Sequence, residues 1–450
     1  LIQLREIQKS NIRTKNKAGG IAVEELTRLI REDMKPALGV TEPGAIAFAV
    51  ASARKHAKGE VKKVTLALNS GMYKNAFTCG IPNSGRYGNL YAAALGAVAA
   101  DAEAGLESLA KITAEDDEHA ARLVSDGKVE AILDHIGSEI MIDACVETEE
   151  ETCTVHIRGS HTNITGIERN GEYIEGGPIS VEGGAGEEAA ETPAIHTYTL
   201  HDILAYVREV PEKEIDFIME AFSMNLALLE EGLLSDRAVF AKQLLEENGK
   251  ERISKDVKAT AQLLCNGAIE ARVLGLGKPA MSITGSGAHG IIATMPLWAQ
   301  YKADCEESDS RRLLQATALS YLITMYIKEY SGRLSAFCGC GIAAGTGMAC
   351  GLAYMRGAGE EEIVMVIRNM ASGITGMICD GGNHGCTMKG IVAVDAAFRA
   401  VELAMNGVCI ESIHGINGHT PEDTMRYMGR IASPGMAGTE KTIVEIMEQK

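Results

Sequence analysis

A chain of 450 residues with 46% hydrophobic side chains has ample material for a buried core and length for two or three compact units, since single domains commonly run to ~100–200 residues. Only 4% of residues are aromatic, so Ala, Val, Ile, Leu and Met must build that core. The net charge of −18 argues against a nucleic-acid surface, where phosphates require clustered Lys and Arg.

The first stretch, LIQLREIQKSNIRTKNKAGG, is basic and lacks an uninterrupted apolar run, so it reads as a flexible tail over residues 1–20 and not as a secretory leader. Residues 21–57 read as helix, interrupted at Pro36 and Gly39 and restarting with Thr41 as N-cap and Glu42 and Pro43 in the first turn. EVKKVTLALNSG alternates as a strand does. CGIPNSGRYGN, residues 79–89, is a polar, glycine-rich connection that is either a surface loop or a place where Arg86 meets a carboxylate. An alanine-rich helix follows. Alternating, β-branched segments broken at Glu149–Glu151, Gly159 and Asn170-Gly171 then predict an antiparallel sheet with hairpin turns. His161, Thr162 and Asn163 sit together at one strand end. EGGPISVEGGAGEEAAETPA is an acidic connector of low complexity.

From about residue 196 the pattern is helical, with glycine-rich breaks at SITGSGAHG, FCGCGIAAGTG and CDGGNHGC. The expected fold class is therefore α+β: an α+β unit over 21–195 carrying an antiparallel sheet, then a mainly α-helical unit over 196–450 whose broken helices converge on one site. Residues 334–355 carry no charge and have the length of a membrane span, but glycine and hydroxyl residues crowd them, so a buried central helix is expected.

The 11 cysteines are odd in number and too sparse for a small disulfide scaffold. Free thiols in a reducing cytoplasm are expected. Cys379 and Cys386 enclose a loop with three glycines, and Cys338 and Cys340 flank a fourth. Thiolates favour zinc, copper(I) and iron–sulfur clusters. The spacing lacks paired CxxC strings, which ranks structural zinc last, and the plain alternative is reduced thiols in helix-linking turns. Cys350 and Cys265 read as core thiols. SITGSGAHG offers hydroxyls and backbone N–H groups for a carboxylate or phosphate, or else an ordinary helix cap.

Six segments together resemble the L-cysteine desulfidase family, which is related to the α chain of iron–sulfur L-serine dehydratases: ALGVTEPGAIAFA, CGIPNSGRYGN, GSHTNI, MSITGSGAHGI, LSAFCGCGIAAGTG and GMICDGGNHGCTMKG. The resemblance implies a lyase that converts cysteine to sulfide, ammonia and pyruvate, or serine to ammonia and pyruvate through loss of water to an aminoacrylate. It implies a 4Fe-4S cluster with one open iron and no pyridoxal phosphate (PLP). By position it implies Cys340, Cys379 and Cys386 as metal ligands, Lys389 and His289 as candidate bases, and Thr284, Gly285, Ser286 and Gly287 at the substrate carboxylate. Thr41, Glu42, Asn83, Ser84, Arg86, His161, Thr162 and Asn163 would complete the substrate site. The implied partner is a small amino acid, with neither nucleic acid nor membrane involved and a homo-oligomer allowed. One position departs from the family. Its pattern reads Gly-Cys-Thr-Glu-Pro, whereas this chain has Gly39-Val40-Thr41-Glu42-Pro43, and valine can neither ligate iron nor carry a proton. A cluster-free protein that binds an amino acid is the alternative that Val40 raises.

Overall fold

The computed structural model describes residues 23–178, 192–304, 310–332 and 334–450; the N-terminal tail and most of the acidic connector fall outside the described residues. The architecture is α+β. A six-stranded sheet runs in the order β3-β2-β4-β5-β6-β7, with β2 Val61–Leu68, β3 Val129–Leu133, β4 Met141–Thr148, β5 Thr152–Arg158, β6 Ile164–Arg169 and β7 Glu172–Gly176. From β2 through β4 to β7 every pairing is antiparallel, as the alternation predicts. Asn170 and Gly171 both have positive φ, 52° and 86°, the geometry of the tight turn that right-twisted hairpin strands favour. β3 joins β2 in parallel, a pairing that alternation cannot reveal.

The reading of residues 21–57 as a helix that breaks and resumes needs correction. After a helix over 23–33 the chain enters β1, Lys35–Leu38, which pairs antiparallel with β8, Pro279–Ser282. Pro36 cannot continue a helix because its ring displaces the preceding turn and it has no N–H to donate. The chain then turns at Gly39 (φ 62°) and starts the helix Thr41–His56 with Val40, not Thr41, at the N-cap. No side chain caps that end.

The C-terminal part packs around the helix Val257–Val273, which buries fourteen consecutive residues from Thr260. It is flanked by the helices Met219–Leu234, Gly287–Ala303 and Gly385–Met405. Close approach depends on small residues. A Cβ on Gly290 would lie 1.9 Å from the Met281 carbonyl oxygen, where β8 meets the helix Gly287–Ala303. The uncharged stretch after residue 334 is a buried π-helical turn, Cys340–Ala344, leading into the helix Gly345–Met355. Among the described residues no helix is long and apolar enough to cross a membrane.

Candidate active site

The convergence of the two cysteine-bearing segments has a local cause. Phe337 and Ile378 form an isolated antiparallel bridge. The Cys338 N–H donates to the Met377 carbonyl at 3.1 Å, and the Cys379 N–H donates to the Ala336 carbonyl at 2.6 Å. This short ladder joins the two segments, with Cys338 opposite Met377 and Cys379 opposite Ala336. Cys340 opens the π-helical turn, and Cys386 lies in the first turn of the helix Gly385–Met405 with its Sγ 3.4 Å from the Gly381 carbonyl. Gly381 (φ 101°) has to be glycine, since a Cβ there would meet the Lys74 carbonyl oxygen at 2.4 Å.

Cys340, Cys379 and Cys386 line one cavity of about 120 Å³. That is well below the ~300–1,000 Å³ of drug-sized pockets, which suits a ligand of a few heavy atoms. Val40, Thr41, Glu42 and Asn75 enter it from the N-terminal part, as do Ser160 and His161 from the turn after β5. Arg272, Thr284, Gly285, Ser286, His289 and Lys328 enter from the helical part. Val40 is 2% exposed. It packs on Gly382, where a Cβ would sit 2.7 Å from Val40 Cγ1.

The charges here are held in definite states. Burial alone would raise the Glu42 carboxyl, but His161, the hydrogen bond from Asn75 Nδ2 (3.0 Å) and the Arg272 charge outweigh it and lower it to about 2. His161 Nε2 lies 3.8 Å from Glu42 Oε1 and has no hydrogen-bond partner. His289 is buried with its Nδ1 2.5 Å from Thr284 Oγ1; burial first, then the charges of Lys328 and Arg272, push it down to about 3. Lys389 pairs with Asp380. Burial opposes its charge, but the neighbouring Cys386 and Cys379 and the Asp380 carboxylate raise its pKa. Both candidate bases are therefore handicapped: His289 is too weak a base, and Lys389 keeps its proton.

Thr284 and Gly285, both with positive φ (50° and 73°), form a tight turn closed by mutual backbone hydrogen bonds between Ile283 and Ser286. Thr41 Oγ donates to the Gly285 carbonyl at 3.5 Å. Gly287 begins the helix behind this turn and is not part of the lining. The structure places three other residues of the CGIPNSGRYGN segment away from the cavity. Asn83 Nδ2 donates to the Leu109 and Ala110 carbonyls, Ser84 hydrogen-bonds Asp117, and Arg86 pairs with Asp117 at 3.4 Å. Asn163 is turned back onto the Arg158 carbonyl, and Thr162 faces Gly105. Cys350 and Cys265 are fully buried.

Three residues that matter were not picked out from sequence. Lys74 is 0% exposed and supplies hydrogen bonds to the Ser335 and Cys379 carbonyls and an ion pair to Glu440. Lys328 lines the cavity. Arg272 lines it too, 5% exposed and with its Nε unpartnered.

Among the described residues no three His, Cys, Asp or Glu side chains converge as ligands of a single ion. The three thiols instead border a shared space, where they would be the residues to hold an iron–sulfur cluster. A cluster also demands soft donors, and thiols are what this wall presents.

Comparison with known proteins adds two findings. The profile of the family described as serine dehydratase alpha chain matches residues 103–445. A UPF0597 protein of Clostridium botulinum (strain Okra, type B1) is 39% identical over 424 residues, covering 94% of this chain and 98% of its own. UPF0597 proteins of Caldanaerobacter subterraneus subsp. tengcongensis and Clostridioides difficile are 35% and 33% identical, covering 94% and 93% of this chain and 98% of their own.

Proposed function

We propose, on the premise that this chain belongs to the serine dehydratase alpha chain family, that the cavity is the active site of a lyase eliminating the β-substituent of a small L-α-amino acid. Serine or cysteine would be the substrate, and pyruvate and ammonia the end products, with sulfide released as well from cysteine; the water lost from serine is taken up again when the imine hydrolyses. The observation that carries this reading is the meeting in one small cavity of three thiols, an ionised glutamate beside a histidine, and a hydroxyl-bearing turn at a helix N-terminus.

Cys340, Cys379 and Cys386 would hold a 4Fe-4S cluster, which when bound supplies Lewis acidity toward the β-hydroxyl or β-thiol. The protein's own groups do the rest. The turn Thr284–Ser286 orients the substrate. Glu42, ionised throughout the neutral range, stands beside His161 with its Oε1 3.8 Å from His161 Nε2. With Lys389 held as a cation and His289 too weak a base, His161 is the group placed to take the α-proton. The electrons of the breaking Cα–H bond form the Cα=Cβ double bond as the β-substituent leaves with its own bonding pair. The aminoacrylate then tautomerises to an imine, which water hydrolyses to pyruvate and ammonia. Acid–base help of this kind is typically worth ~10²–10⁴-fold.

The test is anaerobic reconstitution with iron and sulfide, followed by assays of pyruvate, ammonia and sulfide with L-serine and L-cysteine. Pyruvate formation that collapses in His161→Gln supports the reading; a reconstituted protein without turnover on either amino acid sinks it. Val40 supports a second reading, an amino-acid-binding protein without turnover. That reading predicts a gain in thermal stability with an amino acid that is not consumed, ~2.7 kcal/mol at 100 times its Kd.

A further inference from the structure

We propose that Arg272 is the receptor for the ligand's α-carboxylate, acting with the open N-terminus of the helix Gly287–Ala303, and that this pair restricts the cavity to ligands with a free α-carboxylate. The proposal rests on the reading of the cavity as an amino-acid site and adds what selects the ligand.

Arg272 belongs to the helix Val257–Val273 and is 5% exposed, yet its Nε has no hydrogen-bond partner. Between Lys258 and Lys278 the only charged residues are Glu270 and Arg272. Glu270 is accounted for. Its carboxylate accepts from the backbone N–H groups of Val239, Phe240 and Ala241 and so caps another helix. Arg272 has no such use, and among the described residues no carboxylate lies within ion-pair distance of it. The Arg272 charge acts on the ionised Glu42 across the cavity, but a buried guanidinium with no hydrogen-bonded counter-charge is still costly, because low-dielectric surroundings penalise a separated charge more than a directly paired one.

Its surroundings make this worse. The side chain lies against Gly287, the first residue of the helix Gly287–Ala303; a Cβ there would sit 2.7 Å from Arg272 Nε and 3.1 Å from its Cδ. Ser286, the N-cap, makes no side-chain cap. The N–H groups of the first turn have no acceptor within the helix, and this end carries the positive pole of the helix dipole. A guanidinium and a helix N-terminus, both electropositive, thus stand together where the cavity is lined by Arg272, Ser286 and His289. Both are answered by one small anion. A carboxylate takes two parallel hydrogen bonds from the guanidinium fork and accepts backbone N–H groups with its remaining lone pairs. Glycine at 287 is what lets the two donor sets come together.

The experiment uses L-alanine and L-alaninamide, which lack a β leaving group and are read by binding alone. Calorimetric titration of the full-length, reconstituted protein should show L-alanine binding and the amide weaker by ~10–100-fold, the factor expected when a charged hydrogen-bond acceptor is lost. Arg272→Gln should weaken L-alanine by a similar factor and level the two ligands. Arg272→Lys, which keeps charge but loses the fork, should fall between. If Arg272→Gln does not fold, Arg272→Lys and the wild-type ligand pair decide. Wild-type protein that binds the amide as tightly as the acid, or binds neither, overturns the proposal, as does a folded Arg272→Gln that keeps the preference. L-Serine turnover is measured in parallel. Its absence alongside an intact preference for L-alanine refutes the lyase reading and supports the carboxylate receptor.

Discussion

Lys74→Met should destabilise the protein more than any loss of packing at that site predicts. The Lys74 ammonium donates to the Ser335 carbonyl at 3.0 Å and to the Cys379 carbonyl at 3.1 Å, and forms an ion pair with Glu440 Oε2 at 2.9 Å; neither Glu440 carboxylate oxygen has a hydrogen-bond partner among the described residues. The lysine side chain is 0% exposed and that of Glu440 5% exposed. Methionine fills much the same volume, so cavity formation contributes little. It strands the Glu440 carboxylate in the interior, and breaking a buried pair from one side costs ~3–5 kcal/mol. Adding Glu440→Leu removes the stranded charge, and the double variant should recover most of the loss. The assay is urea unfolding of the metal-free protein, comparing wild type, both single variants and the double variant as a cycle. A Lys74→Met loss below ~1 kcal/mol, or a double variant no more stable than Lys74→Met, would refute the reasoning. Because Lys74 also holds the Cys379 carbonyl, Lys74→Met should lower iron content after reconstitution even where the protein remains folded.

Two more outcomes follow from the same cavity. His289 is lowered from 6.5 to about 3 and Glu42 from 4.5 to about 2. In both cases the unfolded chain takes up protons before the folded one. Each contribution is present above the unfolded value and is lost as pH falls, between 6.5 and 3 for His289 and between 4.5 and 2 for Glu42. The slope of unfolding free energy against pH should therefore flatten between pH 6.5 and 4.5 in His289→Asn, and denaturant titrations across that window would show an unchanged slope if His289 is not buried neutral. Val40→Cys should fold at a cost below ~1.5 kcal/mol because the volumes are close, and it should raise or switch on sulfide release from L-cysteine. A folded, iron-loaded Val40→Cys that is inert on cysteine and serine counts against the lyase reading.

Much of the fold was legible because it is written in local pattern. The hairpins from β4 to β7 and the long C-terminal helices follow from alternation and helical period. β1 was not legible. KPAL is too short to show a period, and its partner lies at residues 279–282. The same limit applies to the site. Gly/Cys strings announced Cys340, Cys379 and Cys386, but the Phe337–Ile378 bridge that unites them is a long-range pairing. The polar, glycine-rich loop suggested Arg86 for a carboxylate, and the family resemblance implied Asn83 and Ser84 beside it. Their partners Leu109, Ala110 and Asp117 lie on neighbouring structure that no spacing rule connects to them. Arg272 did leave a trace, as one of only two charges between Lys258 and Lys278. Glu270, the other, shows that such a charge can equally be a helix cap.

The β1–β8 pairing also orders events in time. Lys35 pairs with Ser282 and Leu38 with Pro279, so the strand that leads into Val40, Thr41 and Glu42 is made long before its partner. At synthesis rates of ~5–20 residues per second, the ribosome needs roughly 12–50 s to reach β8 after finishing β1. Throughout that interval the nascent chain carries an unsatisfied strand edge, which is an invitation to wrong pairing with neighbouring chains. Pro36 and Lys35, at the start of that strand, are residues that blunt such edges. The wall that holds the glutamate and the wall that holds the thiols therefore meet only late in translation, and an N-terminal fragment ending before residue 279 should bind nothing.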